Sequence, residues 1–214
     1  MSKKILLGAL ACIALASAAS AQLNLRVGAD MEGRYAEKDA GTAWSADPDA
    51  YANVLPGFSL GAEYSTKAAA NLELGLGLAY RFPRSIKNSD ADNVYAQPFF
   101  VPAYALVRLP VKVESLRVIP TGRLGYGFVG GNERYKAYNY ASPDNSSADK
   151  LAGGLYWAAG LGFELGSNLY VEGLYGVNLG KRTSTYTIFG TSYTDEYDLR
   201  YSAFELSLGY RVKL

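Results

Sequence analysis

The sequence contains no histidine and only one cysteine among its 214 residues. Without histidine the chain cannot form a serine–histidine triad or a histidine-ligated zinc site. A lone cysteine excludes an internal disulfide and a cysteine zinc cage. Most catalytic and metal-binding arrangements are therefore excluded for this chain, and we predict neither a cofactor nor an enzymatic activity. A pair of carboxylates that activates water needs no histidine and is the remaining catalytic alternative.

Long apolar runs are confined to the N-terminus. Two lysines precede an apolar stretch that begins at Ile5, and small residues follow it up to Ala21. This order is typical of a secretory signal peptide. We expect residues 1–21 to be a cleaved signal peptide and residues 22–214 to form one domain. Cys12 lies within the apolar stretch, and two fates are open to it: removal with the signal peptide, which we expect, or acceptance of a lipid.

An excess of charge of one sign is also lacking. Without the two lysines of the signal peptide, 19 basic side chains stand against 20 acidic ones, a net charge of −1. Proteins that bind nucleic acid, or a membrane surface through a polybasic segment, need a cationic excess. We therefore predict no nucleic-acid partner.

After residue 21, no stretch approaches the roughly 18 consecutive apolar residues of a membrane-spanning helix. Apolar and polar residues instead alternate with period two, which is the signature of β-strands. The facing of the fourth run is left open because it contains Pro98 and Pro102. The eight runs cover residues 22–35, 57–65, 72–82, 94–109, 118–129, 154–165, 169–179 and 199–214.

The connections between these runs alternate in length. Segments 36–56, 83–93, 130–153 and 180–198 are long and polar, whereas those between them are shorter. Outer-membrane barrels place short turns on the periplasmic side and long loops outside. The pattern therefore predicts an all-β fold, an eight-stranded antiparallel up-and-down transmembrane β-barrel with periplasmic termini and four exposed loops.

Alternation alone also fits a soluble periplasmic β-protein with its apolar face inward, so the residue types on each face decide. Glycine weakens an exposed strand, but in the narrow lumen of an eight-stranded barrel it leaves room for larger side chains. Aromatic residues near the strand ends favour a membrane girdle on the apolar face. These girdle residues are Tyr35, Tyr64, Tyr80, Phe82, Tyr126, Phe128, Trp157, Phe163, Tyr175 and Tyr210.

The polar face then supplies charged side chains to the lumen. A desolvated charge is tolerated when it is paired, so we interpret these residues as a static ion-pair network, with a charged gate in a water-filled pathway as the alternative. The predicted lumenal charge network is Arg26, Asp30, Glu32, Arg34, Glu63, Glu73, Arg81, Arg123, Glu164, Glu172, Glu205 and Arg211.

The C-terminal strand carries a motif. A polar residue and a glycine precede alternating hydrophobic residues at the terminus, which resembles the assembly signal of outer-membrane β-barrels. The signal residues are Ser207, Gly209, Tyr210, Val212 and Leu214. The family usually ends in phenylalanine or tryptophan, and this chain ends in leucine. With the signal peptide and eight strands, the chain resembles the small OmpA/OmpX-like outer-membrane β-barrel domain family.

The resemblance implies a bacterial outer-membrane location, outer-membrane lipid as surroundings and the barrel-assembly machinery as a partner during insertion. It implies no single activity. We expect a structural or surface-interaction scaffold. The alternatives are a narrow pore for ions or very small solutes, and a soluble periplasmic β-protein.

The long loops are the expected place for an extracellular ligand, because exposed aromatic residues among polar neighbours suit a binding surface. The same side chains also suit loop packing. Acidic clusters at Asp90–Asp92–Asn93 and Asp195–Glu196–Asp198 lack calcium-loop spacing, so no metal site is predicted. The loop aromatics are Trp44, Tyr51, Tyr135, Tyr138, Tyr140, Tyr186, Tyr193 and Tyr197.

Overall fold

A computed structural model describes residues 21–44, 52–87, 94–96, 98–131, 148–188 and 191–214. Eight long strands form the main sheet. They are β1 Ala21–Asp39, β2 Gly57–Ala69, β3 Leu72–Arg81, β4 Pro98–Arg108, β5 Leu116–Gly131, β6 Ala148–Glu164, β7 Leu169–Ile188 and β8 Thr191–Lys213. Residues 1–20 lie outside the described residues, so the signal peptide and Cys12's fate stay predictions.

The sheet closes on itself as an antiparallel barrel. Each strand pairs with its neighbour in the chain, and β8 returns to β1 in a ladder that runs from Gln22↔Lys213 to Asp39↔Tyr197. Closure gives every strand two partners, which a sheet surrounded by lipid requires because lipid offers no hydrogen bonds. The predicted eight-stranded up-and-down barrel is confirmed. Among the described residues, no helix is long and apolar enough to span a membrane.

The two ends of the barrel differ. The turns near residues 70, 114 and 167 lie at the same end of the barrel as the paired residues Gln22 and Lys213, and we call this end the periplasmic end. Apart from the β7–β8 turn, the connections at the opposite end are longer, and we call that end the outer end. There a small sheet forms on β1 from the short strands Ala52–Val54, Ile86–Lys87 and Val94–Ala96.

The apolar face of the strands points outward. Phe58, Leu76, Leu124 and Leu161 each expose about half or more of their surface, and other large apolar residues are exposed on all eight strands. Charged and small residues of the opposite parity are buried. A soluble β-protein would have the reverse arrangement, so the outward apolar face is the one that lipid covers.

One part of the predicted facing is wrong. In the β1–β8 ladder, Asp30 pairs with Glu205 and Gly33 with Ala203, so Met31 and Glu32 together oppose one residue. This β-bulge shifts the alternation by one position. Glu32 and Arg34, predicted to be lumenal, are exposed, and Tyr35, predicted for the outer girdle, is buried in the interior.

The segment 180–198 also differs from its prediction as a long loop. Strands β7 and β8 continue through it as a regular hairpin whose ladder reaches Ile188↔Thr191. Polar residues such as Thr183, Ser184 and Thr194 line this extension. A strand pair outside the membrane has no apolar face to bury in lipid, so the periodicity that marks spanning strands is absent there.

The open facing of the fourth run is settled by the structure. Tyr104, Leu106 and Arg108 of β4 are buried, whereas Ala105 and Val107 are exposed. The β3–β4 ladder passes from Leu78↔Ala103 to Arg81↔Phe100 and omits the two pairs in between, which would involve Pro102 and Val101. Proline lacks the N–H that such a pair needs.

Candidate functional site: the charged barrel interior

The structure brings most of the predicted lumenal charges together. Glu164 is half-buried at the periplasmic end, and Glu32 and Arg34 lie outside the barrel interior. Nine of the predicted residues are buried inside the barrel: Arg26, Asp30, Glu63, Glu73, Arg81, Arg123, Glu172, Glu205 and Arg211.

Glu63 on β2 is the centre of the network. Its carboxylate lies 3.2 Å from Arg26 Nε and 2.8 Å from Arg123 Nη2, and it also pairs with Arg108. The Tyr104 hydroxyl donates to Glu63 Oε1 at 2.8 Å. Glu63 is 1% exposed, so all of these contacts form away from bulk water. Charge-assisted contacts in such surroundings are strong, and loss of one partner leaves a buried charge without compensation.

Two more carboxylates extend the network around the barrel wall. Glu205 lies 2.7 Å from Arg26 Nη1 and 3.0 Å from Arg81 Nη2. Glu172 pairs with Arg123 and lies 3.6 Å from Arg26 Nη1. Arg26 therefore touches three carboxylates, which come from strands β2, β7 and β8. Its side chain therefore links four consecutive strands of the barrel, β7, β8, β1 and β2.

At the periplasmic end the network thins out. Arg211 lies 2.9 Å from Glu164 Oε1 and 4.0 Å from Glu73 Oε2, and Arg117 lies 3.2 Å from Glu164. The Glu73 carboxylate is buried, yet neither of its oxygens accepts a hydrogen bond from the described residues. This end therefore combines a half-exposed ion pair with a carboxylate that lacks direct donors.

At the outer end a loop side chain closes the interior. Arg84, which follows β3, is 2% exposed, donates to the Leu55 carbonyl at 2.7 Å and to the Met31 carbonyl, and lies 3.6 Å from Asp30. Its guanidinium lies 5.3 Å from the centre of the Tyr201 ring. Arg84 thus ties the loop to β1.

An apolar layer lies beyond Arg84. It joins side chains of the small outer sheet to side chains from β1, β4 and β8. Val54 and Ile86 are fully buried in it, and the Phe100 and Tyr201 rings stack with centroids 4.6 Å apart. The layer consists of Tyr35, Val54, Ile86, Phe100, Leu199, Tyr201 and Ala203. We call this layer, together with Arg84, the outer cap.

Sequence reasoning missed several interior residues. Arg108, Tyr104 and Tyr170 are buried partners of the network. Arg108 has a usable signal, since it continues the period-two series of Tyr104 and Leu106. Arg84 has none, because it lies in a connection with no periodicity.

Glycine makes room for the two central tyrosines. A Cβ added to Gly77 would lie 2.5 Å from the Tyr104 ring, and one added to Gly209 would lie 2.1 Å from the Tyr170 ring. Real Cβ atoms do not approach so closely, so both rings depend on the missing side chain. The Tyr170 ring in turn packs against Arg108, whose guanidinium carbon lies 5.2 Å from its centre.

The residues of the C-terminal motif alternate between the two faces of β8. Ser207 and Gly209 face the interior, whereas Tyr210 and Leu214 are exposed at 47% and 66%, and Val212 is half-buried. The alternation matches the motif's own pattern. Its role in assembly stays a prediction.

The loops are described in part. Trp44 is half-buried beside Lys38, whose Nζ lies 5.1 Å from the ring centre, and the Tyr197 ring lies 4.5 Å from the Arg182 guanidinium. Tyr193 is exposed at 46%. Within the described ranges, no three acidic or cysteine side chains converge to hold a metal. Outside them lie Tyr51, Tyr135, Tyr138, Tyr140, Asp90, Asp92 and Asn93, and the Tyr186 side chain is likewise not described.

The charges of this interior nearly cancel. Seven buried arginines, at positions 26, 81, 84, 108, 123, 182 and 211, stand against the buried carboxylates of Asp30, Glu63, Glu73, Glu172 and Glu205 and the half-buried ones of Glu37 and Glu164. Several N–H groups of Arg81, Arg108 and Arg123 have no hydrogen-bond acceptor among the described residues. Buried polar groups of this kind are normally satisfied by ordered water.

The model of a protein family described as the outer membrane protein beta-barrel domain matches residues 5–211. Among solved structures, the outer membrane protein OprG from Pseudomonas aeruginosa is similar, with a TM-score of 0.51 and 14% identity over 92% of this chain and 97% of OprG. The outer membrane protein AlkL, solved in lipid bilayers, gives a TM-score of 0.50 and 15% identity over 91% of each chain. These likenesses concern the fold. No curated protein matches the chain.

Proposed function

Because the chain belongs to the outer membrane protein β-barrel domain family, we propose that it is a non-enzymatic scaffold that holds its outer loops at the cell surface. The observation that carries this proposal is the filled interior. Arg26, Glu63 and Arg123 meet across the lumen, and the outer cap closes the outer end. A barrel stabilised from within in this way is a rigid base for loops.

The protein is located in the bacterial outer membrane, where lipid surrounds its apolar face. The alternative of a soluble periplasmic β-protein is therefore wrong. The outward orientation of Leu76, Leu124 and Phe128 gives the physical reason, since about half of each side chain would otherwise stand in water.

A narrow pore is the second candidate function, and one observation favours it. The oxygens of Glu73 and Asp30, and several arginine N–H groups, have no hydrogen-bond partner in the described part of the chain. Water that satisfies these groups would provide a polar path between the ion pairs. In that case the ion pairs would limit the passage of ions instead of sealing the lumen.

Planar-bilayer recordings of the refolded protein test the scaffold. We expect no discrete openings from the unaltered chain. The variant R84A/R123A removes one buried side chain from the outer cap and one from the central network, and we expect it to show openings, which verifies the sensitivity of the assay. The variant K112A/K213A removes two exposed cations from the opposite end of the barrel and serves as the control, which we expect to be silent.

Discrete openings from the unaltered protein would overturn the scaffold and support the pore. In that case E73A should alter the selectivity between cations and anions, because Glu73 is a buried carboxylate without direct donors at the periplasmic end. Each sample needs proof of folding, for which the mobility difference between heated and unheated protein in gel electrophoresis is suitable.

Two partners belong to the same proposal. The motif that ends at Leu214 supports recognition of β8 by the barrel-assembly machinery, and replacement of Tyr210 and Leu214 by serine should slow insertion in an assembly assay. Equal insertion by the serine variant would exclude recognition of this motif by the assembly machinery.

The exposed Tyr193 supports an extracellular ligand held by the loops. A binding screen with Y193A as the comparison tests that role.

A further inference from the structure

Gln22 lies at the periplasmic end of the barrel, where β1 begins. It pairs with Lys213 on β8 and with Ser65 on β2, so its backbone is held on both sides. Its side chain faces the interior, and the residue is 7% exposed. Ala19 and Ala21 precede it at the small-residue positions of the predicted cleavage site. Cleavage there makes the Gln22 nitrogen the amino terminus.

The interior offers no donor to the side-chain carbonyl of Gln22. Its Oε1 is buried and accepts no hydrogen bond from the described residues. The next interior side chain of β1, Asn24, is already engaged, because its Nδ2 donates to Ser65 Oγ at 3.1 Å and its Oδ1 accepts from Arg211 Nε at 3.3 Å. A buried acceptor without a donor is unfavourable. The open amide of Gln22 is therefore poorly accommodated.

A free amino terminus at this position adds a cation beside other cations. An α-amine is largely protonated at neutral pH. Its cross-strand partner on β8 is Lys213, and Arg211 lies two residues away on the same strand. Arg211 already contacts the Glu164 carboxylate at 2.9 Å. Like charges on opposite positions of a strand pair are destabilising, so a neutral terminus is favoured here.

Glu73 is the buried carboxylate at this end that could hold a terminal ammonium. Its oxygens accept no hydrogen bond in the described part of the chain, and one of them lies 4.0 Å from Arg211 Nη2. Glu73 belongs to β3, however, since Gln22 pairs with Ser65 and Ser65 pairs with Gly75. Two strand spacings of about 4.8 Å separate β1 from β3. An ion pair with Glu73 is therefore the competing state.

We propose that the mature protein begins at Gln22 and that this glutamine cyclises to pyroglutamate. The proposal rests on the predicted cleavage after Ala21. The lone pair of the neutral α-nitrogen attacks Cδ of the side-chain amide, a bond forms between the α-nitrogen and Cδ, and the bond between Cδ and Nε2 breaks. Nε2 leaves as ammonia and takes one hydrogen from the α-nitrogen. The step consumes no oxidant, metal or second substrate.

Cyclisation removes both unfavourable features of the open residue. The α-nitrogen becomes an amide nitrogen without charge, and it keeps one hydrogen with which it can donate in a strand ladder. The ring ties Cδ to the backbone nitrogen, so the carbonyl leaves the interior and lies at the end of β1. The nucleophile and the amide belong to the same residue, so the burial of Gln22 does not prevent the reaction.

Peptide mass analysis of protein purified from outer membranes tests the proposal. The full chain is exported, isolated, unfolded and digested with trypsin, which releases residues 22–26 as the N-terminal peptide. We expect this peptide to be lighter than the open sequence by the mass of one ammonia molecule in most protein molecules. An isotope-labelled synthetic peptide of the same sequence is added at cell lysis, and it should keep its full mass.

The variant Q22N is the matched control, because asparagine retains the amide but is one methylene too short to close the ring. Its N-terminal peptide should have full mass, and a reagent that acylates α-amines at neutral pH should label Q22N but not the unaltered protein.

Three results overturn the proposal: an open Gln22 in the unaltered protein, a chain that begins at another residue, or equal cyclisation of the labelled peptide. Faster labelling of an open Gln22 in E73Q than in the unaltered protein would establish the ion pair with Glu73 instead. The comparison with the labelled peptide needs no variant, so the test holds even if a variant is not exported.

Discussion

Replacement of Glu63 by glutamine is the sharpest test of the interior. The change keeps the shape of the side chain and removes its charge. In the structure, Glu63 and Glu172 both contact Arg26, Arg108 and Arg123. Without the Glu63 carboxylate, the three guanidinium groups lose one of their shared counter-charges, and the new amide N–H₂ points its hydrogens at cations.

The expected magnitude follows from burial. Removing one partner of a buried ion pair costs about 3–5 kcal/mol, whereas a pair open to water is worth about 1 kcal/mol or less. Glu63 has a fully buried side chain, whereas Glu164 is 16% exposed and its partners Arg117 and Arg211 have side chains that are 35% and 7% exposed. We therefore expect E63Q to lower the free energy of unfolding by roughly 3 kcal/mol or more, and E164Q to lower it by less.

The assay is reversible unfolding by urea or guanidinium in lipid vesicles, followed by the fluorescence of Trp157, which is 37% exposed on the outward face. Unfolding and refolding curves must coincide before a free energy is extracted. If E63Q and E164Q destabilise the protein equally and by less than about 1 kcal/mol, the central ion pairs are screened by water. The description of the interior as a closed network would then be wrong.

Three further outcomes are expected. The R84Q variant should speed amide hydrogen exchange in the outer cap while the barrel strands stay protected, because it loses the guanidinium that ties the loop to β1. G209V should destabilise the barrel by about 2 kcal/mol or more, since it overlaps the Tyr170 ring, and Y170A should partly rescue it in thermal unfolding. Lys38, which donates to Asp198 beyond the apolar band, holds the pKa of that carboxyl below its usual range, so their contact should persist at neutral pH and be lost only as the pH falls below the ordinary aspartate value. The NMR titration of the Asp198 carboxyl carbon checks this, and K38Q should move the midpoint upward.

Period-two alternation was enough to predict the barrel, because each spanning strand must present one face to lipid and the other to the interior. The same parity located Glu63, Arg123 and Glu205 inside before any contact was known. Parity assigns a face and not a partner, however. It therefore gave no sign that Arg26 would contact three carboxylates from different strands.

The errors arose where parity does not hold. Glu32 lies in a bulge and Arg34 follows it, and an inserted residue leaves no mark on composition. Arg84 enters the interior from a connection, where side-chain direction has no period. The hairpin beyond Gly180 is polar on both faces, so strand and loop look alike in the sequence there.

The bulge at Met31 and Glu32 also has a consequence for sequence change. It shifts the alternation of side-chain direction by one position, so the residues from Gly33 to Asp39 face opposite to what the alternation before the bulge predicts. Deletion of Met31 or Glu32 would leave one residue opposite Phe204 and keep the pairs Asp30↔Glu205 and Gly33↔Ala203, so Arg34 would stay outward and Tyr35 would stay inward. A single-residue deletion between Gln22 and Asp30 would instead reverse the facing of one part of β1 relative to the other. Variation by one residue is therefore tolerable at the bulge itself, and insertions in the loop that follows Asp39 leave the facing of β1 unchanged.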